Sequence, residues 1–164
     1  EYNVANCITR GALENPICAS YLNHPERLNE ISIFVEDPVS GLMLKTRPDL
    51  MIESEQTVYD VKTTQDASPN GFLKECLKYG YFLQGAHYAY TCKLAGYDIK
   101  TFSFIACEKT SPYVSHVHVM GSDIMRWGMN QLHKTLATIA KAEKDSNYGT
   151  DWGDYTVMEK PSWL

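Results

Sequence analysis

The sequence predicts an α/β fold in which a mixed sheet is flanked by helices. β-Branched and aromatic residues bounded by turn formers fill residues 30–64, a composition typical of strands. Apolar residues then recur every three or four positions over residues 71–94 and again after residue 122, as in amphipathic helices. Residues 98–119 return to strand composition between them. The order helix, three strands, helix, two strands, helix therefore predicts a sheet covered by helices.

The first half of the chain is expected to hold one helix and a three-stranded antiparallel meander. The helix covers residues 3–22 and is disturbed at Pro16. The strands cover residues 30–35, 42–52 and 56–64. Pro48 predicts an irregular stretch within the second strand, because proline cannot donate a ladder hydrogen bond.

The second half is expected to hold two long helices separated by two strands. The first helix spans residues 71–94 and is ended by Gly96. The strands cover residues 98–107 and 113–119. Ser122 and Asp123 should cap the last helix. Its predicted core residues are Met125, Leu132, Leu136 and Ile139.

A chain of 164 residues fits one domain, so residues 1–164 are expected to form a single unit. Residues 146–164 are polar and aromatic, and we expect a loosely packed tail there. The chain begins at Glu1 with neither a methionine nor a signal-peptide pattern. We therefore expect a cytoplasmic fragment that lacks upstream residues.

Composition excludes several classes of protein. No apolar run approaches the roughly 20 residues that cross a bilayer, so no membrane partner is expected. The net charge of -5 disfavours nucleic-acid binding through bulk positive charge, although it is compatible with a local basic groove. Five cysteines, none of them in a Cys-x-x-Cys pair, fit neither a disulfide framework nor a zinc site. We expect buried free thiols instead.

The residues with the clearest chemistry are one lysine and two aspartates in the predicted meander. Asp60 and Lys62 lie two positions apart on a strand, so their side chains leave the same face, while Val61 should point into the core. A turn near residues 53–56 would place Asp49 opposite Asp60. Two carboxylates and one ammonium group then converge at one place.

This group of residues predicts a magnesium-dependent hydrolytic site. Magnesium prefers oxygen ligands and keeps several waters, so the carboxylates of Asp49 and Asp60 and the carbonyl of Val61 suffice to hold it. A bound cation lowers the pKa of water and neutralises phosphate oxygens. Lys62 is placed to orient or deprotonate that water. Residues 98–100 repeat the Asp-x-Lys spacing without a partner carboxylate in a preceding hairpin, and we interpret the repeat as accidental.

The helix that follows the predicted meander adds polar residues on a face separate from its apolar stripe. Gln84 and Tyr88 are spaced i, i+4, and Tyr81 precedes Gln84 by three positions. Gln84 and Tyr88 can therefore reach toward the strand that carries Asp60. The alternative interpretation is a helix with an ordinary polar flank.

Together these motifs resemble the PD-(D/E)xK nuclease signature with its Gln-x-x-x-Tyr helix. The matching segments are Arg47-Pro48-Asp49, Asp60-Val61-Lys62-Thr63-Thr64 and Gln84-x-x-x-Tyr88. More closely, residues 30–90 resemble the exonuclease VIII nuclease domain and related phage recombination exonucleases. The resemblance implies a restriction-endonuclease-like α/β fold, with a mixed central sheet flanked by helices.

The resemblance also implies an activity. It implies a magnesium-dependent deoxyribonuclease, with manganese as a substitute, that degrades linear double-stranded DNA from free 5′ ends in DNA recombination. A homo-oligomer and a single-strand annealing protein as partner are implied as well. The metal ligands implied are Asp49, Asp60, the carbonyl of Val61, and Glu30. The catalytic residues implied are Lys62, which serves the attacking water, with Asp60, Asp49, Gln84 and Tyr88.

Two other functions remain open from the sequence. An endonuclease or repair nuclease on the same fold is one, because the same core residues serve several cleavage geometries. A non-catalytic DNA-binding module that retains the fold is the other. The family usually carries a histidine or glutamate motif on a helix near the start of the domain. That motif is absent from this sequence, and we expect it upstream.

Overall fold

The computed structural model describes residues 2–149 and 157–160, which contain five α-helices and seven strands. The helices are α1 (Tyr2–Glu14), α2 (Pro16–Leu22), α3 (Pro69–Tyr79), α4 (Tyr81–Leu94) and α5 (Ser122–Asp145). The strands are β1 (Leu28–Asn29), β2 (Ile33–Glu36), β3 (Met43–Thr46), β4 (Leu50–Ile52), β5 (Thr57–Thr64), β6 (Thr101–Glu108) and β7 (Ser115–Val119). A single turn of 3-10 helix, Glu53–Glu55, joins β4 to β5.

A five-stranded mixed sheet with the order β1-β4-β5-β6-β7 organises the fold. Strands β5 and β6 pair in parallel along their whole lengths, and the other neighbours pair antiparallel. A parallel pair needs a long crossover connection, which α3 and α4 supply. Strands β2 and β3 form a separate antiparallel hairpin. The predicted mixed sheet flanked by helices is confirmed.

Helices cover both faces of this sheet, because side chains alternate between the faces along each strand. On one face, α1 and α2 pack Ala12 and Cys18 against Leu50, Ile52, Tyr59, Ile105 and Cys107. On the other face, α3 and α4 pack Phe72, Cys76 and Cys92 against Met51, Val58, Phe102, Phe104 and Ala106. Helix α5 packs against α4, and its residues Leu132 and Leu136 cover Leu44 of the β2–β3 hairpin.

The predicted three-stranded meander is wrong. Residues 42–52 do not form one strand but are divided between β3 and β4, which belong to different sheets. Pro48 lies between the two strands and is fully buried. It has no N–H to continue a ladder, so strand pairing stops there. The result is two separate antiparallel pairs, β2–β3 and β4–β5.

Two helices predicted as continuous are each divided in two. Asn15 separates α1 from α2 and caps α2, since its side-chain oxygen accepts hydrogen bonds from the N–H groups of Ile17 and Cys18. Gly80 separates α3 from α4 with φ at 69°, a left-handed conformation that glycine adopts at little cost. The apolar repeat continues through Gly80, so periodicity does not reveal the break.

The last helix begins where the sequence predicts, but its N-cap is Gly121 and no side chain caps it. Ser122 and Asp123 instead occupy its first turn. Leu132 and Leu136 are buried, as predicted. Ile139 is 42% exposed, contrary to the prediction, because it lines an open cavity of about 830 Å³ between α5, α4 and β3.

The remaining predictions concern the thiols, the membrane and the tail. Among the described residues all five cysteines are free and four of them are buried, as expected.

Across residues 2–149 and 157–160 no helix is long and apolar enough to cross a membrane. Most of the predicted tail lies outside the described residues. Residues 147–149 and 157–160 have no regular secondary structure.

Candidate active site

The candidate site lies where strand β5 extends past the end of its neighbour β4. The ladder between these strands ends at the pair Leu50 and Tyr59, so the edge of β5 beyond residue 59 lacks a strand on that side. Asp49 immediately precedes β4 and fills this edge: its Oδ2 accepts a hydrogen bond of 2.7 Å from the N–H of Val61. The backbone of β5 therefore fixes one of the two predicted carboxylates.

The second carboxylate, Asp60, is only 3% exposed. Its Oδ1 accepts a hydrogen bond of 2.7 Å from Nε2 of Gln84 on α4. The ammonium group of Lys62 lies 2.6 Å from Oδ2 and forms an ion pair with it. Oδ2 is therefore a buried carboxylate oxygen that forms an ion pair and has no hydrogen-bond partner among the described residues. Such an atom is costly in a folded protein unless a ligand completes it.

Several groups act on the ionisation of Asp60. Burial raises its pKa most, and the negative charge of Asp49 raises it further. The contact with Lys62 and the hydrogen bond from Gln84 lower the pKa without cancelling the effect of burial, so the pKa lies above its ordinary value. A buried carboxylate beside a second carboxylate is typical of functional sites rather than of stabilising ion pairs.

Lys62 is held between a carboxylate and an aromatic ring. Its side chain is 21% exposed, and its Nζ lies 4.8 Å from the centre of the Tyr81 ring, a cation–π distance. Tyr81 packs in turn on Phe72 and Phe104 of the core. The spacing of three between Tyr81 and Gln84 places the two residues on one helix face, but this spacing alone predicts no role for Tyr81.

The position of Gln84 depends on the glycine that follows it. A Cβ atom on Gly85 would lie 2.2 Å from Sδ of Met120 and 2.9 Å from Cδ1 of Phe102. Only glycine therefore lets α4 approach the sheet this closely without displacing those side chains. The close approach brings the Gln84 amide to Asp60 in the centre of β5.

The predicted inward orientation of Val61 is wrong. Val61 is 38% exposed, whereas Asp60 is buried. Asp60 shares its face of β5 with Val58, which α3 and α4 cover, and Val61 lies on the opposite face at the edge that β4 leaves open. The N–H and the carbonyl of one strand residue point to the same edge, so the carbonyl of Val61 lies on the edge of β5 that Asp49 occupies.

Two other predicted site residues are less directly engaged. The N–H of Glu30 donates a hydrogen bond of 3.3 Å to the carbonyl of Asp49, but its carboxylate forms an exposed ion pair of 2.9 Å with Arg47. Tyr88 is half-buried and packs edge-on against Phe102. Within the described part of the chain, the Tyr88 hydroxyl forms no hydrogen bond to Asp60. The structure thus brings together Asp49, Asp60, Val61, Lys62 and Gln84.

The donor set at this site suits a hard divalent cation. It consists of two carboxylates and one backbone carbonyl, all oxygen ligands, and one carboxylate oxygen is buried without a hydrogen bond. No group of three or more histidine, cysteine, aspartate or glutamate side chains that could hold a metal occurs in the described ranges. A magnesium ion, which keeps several waters, fits this sparse set better than zinc does.

The second Asp-x-Lys segment has a different environment. Lys100 lies 3.5 Å from Asp98, and the two side chains are 64% and 74% exposed. Gln56 accepts a hydrogen bond of 2.8 Å from Lys100. The pair is an ordinary surface ion pair at the start of β6, and it provides a matched comparison for Asp60 and Lys62.

Comparison with known proteins identifies related sequences and folds. The family described as PDDEXK-like domain of unknown function (DUF3799) matches residues 18–155. No curated protein matches the chain. A presumptive exonuclease from Eubacterium rectale superimposes with a TM-score of 0.70 at 14% identity, over 98% of this chain and 62% of its own. This chain therefore spans less than two thirds of that protein, and the likeness shows a shared fold.

Two further solved structures are more distant. The protein SSO0001 has a TM-score of 0.46 at 13% identity, over 88% of this chain and 63% of its own. An alkaline exonuclease from Laribacter hongkongensis has a TM-score of 0.40 at 15% identity, over 85% of this chain and 73% of its own. At these scores neither structure carries an argument about the site.

Proposed function

This chain belongs to the family of PDDEXK-like domains, and on that premise we propose that it is a metal-dependent deoxyribonuclease. The family match and the shared fold agree with the resemblance of its motifs to PD-(D/E)xK nucleases. The finer proposal is an exonuclease that degrades linear double-stranded DNA from the 5′ end in DNA recombination. The description of the Eubacterium rectale protein as an exonuclease supports exonuclease activity, but it does not bear on the 5′ polarity or on recombination.

One observation carries the proposal: the incomplete environment of Asp60. Its carboxylate is buried, its pKa is raised chiefly by burial, and Oδ2 has no hydrogen-bond partner within the described residues. Asp49, the second negative charge, lies close enough to raise that pKa further. The ion pair with Lys62 and the hydrogen bond from Gln84 offset only part of the cost of burying this carboxylate, because its pKa remains raised. A divalent cation would neutralise both carboxylates and complete the coordination of Asp60.

The residues of the chain have separable roles in phosphodiester hydrolysis. When bound, a divalent cation would supply a water of lowered pKa and neutralise charge on the phosphate. Asp49, Asp60 and the carbonyl of Val61 provide the oxygen atoms that would hold it. Lys62 orients the water whose oxygen adds to phosphorus as one P–O ester bond breaks. Gln84 holds Asp60 in a single orientation through the hydrogen bond to Oδ1.

A net charge of -5 requires that the groups facing DNA be locally positive. We extend the proposal to a homo-oligomer with an acidic exterior and a positive central channel. A single-strand annealing protein as partner is proposed from the resemblance alone. A monomeric mass of the full-length protein in solution would contradict the oligomer.

Exonuclease activity from the 5′ end is tested by comparing DNA substrates with and without free ends. The full-length protein is incubated with magnesium and a linear duplex labelled at either the 5′ or the 3′ end, beside a closed circular duplex. A 5′-acting exonuclease releases the 5′ label first and leaves the circle intact. Cleavage of the circle would indicate an endonuclease or repair nuclease on this fold. No cleavage with magnesium or manganese would indicate a non-catalytic DNA-binding module.

A further inference from the structure

Two tyrosines form an aromatic stack at the junction of α3 and α4. Their ring centres lie 5.7 Å apart and the rings are inclined by 30°. Tyr81, the inner ring, is packed against Phe72 and Phe104. Tyr79, the outer ring, is 56% exposed. The left-handed Gly80 between them ends α3 and begins α4, and the two side chains meet at this junction.

The stack connects the catalytic centre to solvent. Lys62 lies 2.6 Å from Asp60 and 4.8 Å from the centre of the Tyr81 ring. Asp60 is close enough to Tyr81 that its charge contributes to raising the tyrosine pKa, of which burial is the main cause. From the catalytic carboxylate outward, the order is therefore Asp60, Lys62, Tyr81 and Tyr79.

A second cation accompanies the outer ring. Nζ of Lys78 lies 5.0 Å from the centre of the Tyr79 ring, and Lys78 is an exposed side chain on the last turn of α3. A flexible ammonium group beside an exposed aromatic ring suits a nucleotide, because the ring stacks on the base while the cation approaches the phosphate.

We propose that Tyr79 and Tyr81 form a stacking platform for an unpaired nucleobase at a DNA end, beside the phosphodiester that is cleaved. The proposal rests on the proposed function, since it takes DNA as the substrate, and it adds which part of the DNA this surface recognises. A base that takes the place of the flexible Lys78 ammonium group over the Tyr79 ring continues the stack outward from the core. Its own phosphate is then within reach of Lys78, and the neighbouring phosphodiester lies toward Lys62 and Asp60.

The chemistry of the platform predicts its preference. Every base has an aromatic face, so stacking tolerates sequence. It does require that the base leave its partner, which is easiest at a frayed or overhanging end. The platform therefore predicts tighter binding of an unpaired terminal base than of a blunt end.

The test uses binding without cleavage. The full-length protein is titrated, in the presence of a metal chelator, into a duplex that carries one unpaired 2-aminopurine at its 5′ end, and into a blunt duplex with 2-aminopurine paired at that end. The wild type should bind the unpaired end more tightly and quench its fluorescence. Tyr79→Ala should weaken that binding roughly tenfold and abolish the quenching. Tyr79→Phe keeps the ring and should retain both.

The matched control is Tyr2→Ala. Tyr2 is 79% exposed and lies on α1, which packs on the opposite face of the sheet, so its loss should change neither affinity nor quenching. Equal quenching and affinity in the wild type and Tyr79→Ala, or a wild type that does not distinguish the two duplexes, would overturn the platform.

The outcomes separate this proposal from the proposed function. Cleavage by the wild type together with undiminished quenching in Tyr79→Ala would overturn the platform and leave the nuclease standing. Quenching that depends on Tyr79, in a protein that cleaves no DNA with any divalent metal, would support the platform and overturn the nuclease.

Discussion

The amide Nε2 of Gln84 lies 2.7 Å from Oδ1 of Asp60, and this contact joins helix α4 to the middle of strand β5. The two residues are 24 positions apart in sequence. Between them the chain forms α3, adopts a left-handed conformation at Gly80 and begins α4. The contact leaves Oδ2 of Asp60 facing Lys62, so each carboxylate oxygen has a different neighbour.

Removal of the Gln84 amide is expected to reduce catalysis more than substrate binding. Gln84→Leu deletes the donor and frees the Asp60 carboxylate to rotate, and kcat should fall roughly 10- to 100-fold, as for other groups that orient metal ligands. Gln84→Glu keeps the length but adds a negative charge beside two carboxylates, and should reduce kcat further. Steady-state cleavage kinetics measure both changes. Unaltered kcat in Gln84→Leu would remove Gln84 from the site.

Asp60 is expected to destabilise the metal-free protein. Because its folded-state pKa is raised, the stability associated with its protonated form is present below the ordinary pKa of aspartate and is lost as pH rises through the raised value. Asp60→Asn lacks this pH dependence and should unfold, without metal, at a temperature equal to or above that of the wild type. Thermal unfolding across acidic and neutral pH measures the difference.

The same pair of proteins reports on metal binding without any assay of cleavage. Magnesium or manganese should raise the thermal midpoint of the wild type, because a ligand that binds only the folded state stabilises it. Asp60→Asn should show a much smaller rise. An equal rise in the two proteins would mean that the cation binds elsewhere.

Helices α4 and α5 are expected to require glycine at their contact. A Cβ atom on Gly128 would lie 2.4 Å from the carbonyl oxygen of Phe82 and 3.0 Å from Cβ of Ala86. Gly128→Ala should therefore separate the helices and lower the free energy of unfolding by about 1–3 kcal/mol. Gly121→Ser, where an added Cβ meets no atom within 4 Å, should leave stability unchanged or raise it slightly. Urea denaturation of both variants measures the contrast.

The β2–β3 hairpin is expected to loosen in acid through Asp37. This carboxylate is 2% exposed and accepts hydrogen bonds from Tyr90 at 2.6 Å and from Ser40. Burial raises its pKa, but the hydrogen bonds from Ser40 and Tyr90 outweigh burial, so the pKa lies below its ordinary value. The resulting stability is present above the ordinary pKa of aspartate and is lost as pH falls through the lowered value.

Two variants test whether Asp37 contributes stability that is lost in acid. The difference in unfolding free energy between the wild type and Asp37→Asn should be constant near neutrality and shrink toward acid pH. Asp98→Asn, at an exposed ion pair, should show almost no difference at any pH. A pH-independent effect of Asp37→Asn would contradict the assignment.

Local pattern was sufficient to predict that two of the candidate site residues share one face of β5. The two-residue period of a strand placed Asp60 and Lys62 on one face, and the contact between them confirms that placement. The pattern predicted the wrong face of β5 to be buried, because Val61 is apolar and Asp60 is charged. Burial of Asp60 instead follows from the packing of α4, which Gly85 permits.

Long-range pairing was beyond the sequence pattern. β3 and β4 lie only a few residues apart, yet they join different sheets because Pro48 interrupts pairing between them. The break at Gly80 was concealed because apolar residues keep helical spacing on both sides of it. The role of Tyr81 could not be predicted either, because its contact with Lys62 joins residues on a helix and a distant strand.

If Asp49, Asp60 and Lys62 form a nuclease active site, removal of the Lys62 ammonium group should stop cleavage, whereas removal of the exposed Lys100 ammonium group should not. Full-length wild type, Lys62→Ala and Lys100→Ala are incubated with magnesium and a linear duplex, after equal thermal midpoints have been established. Under this site assignment, the wild type and Lys100→Ala should digest the duplex, and Lys62→Ala should react at least about 100-fold more slowly. Digestion by Lys62→Ala at the wild-type rate would contradict it.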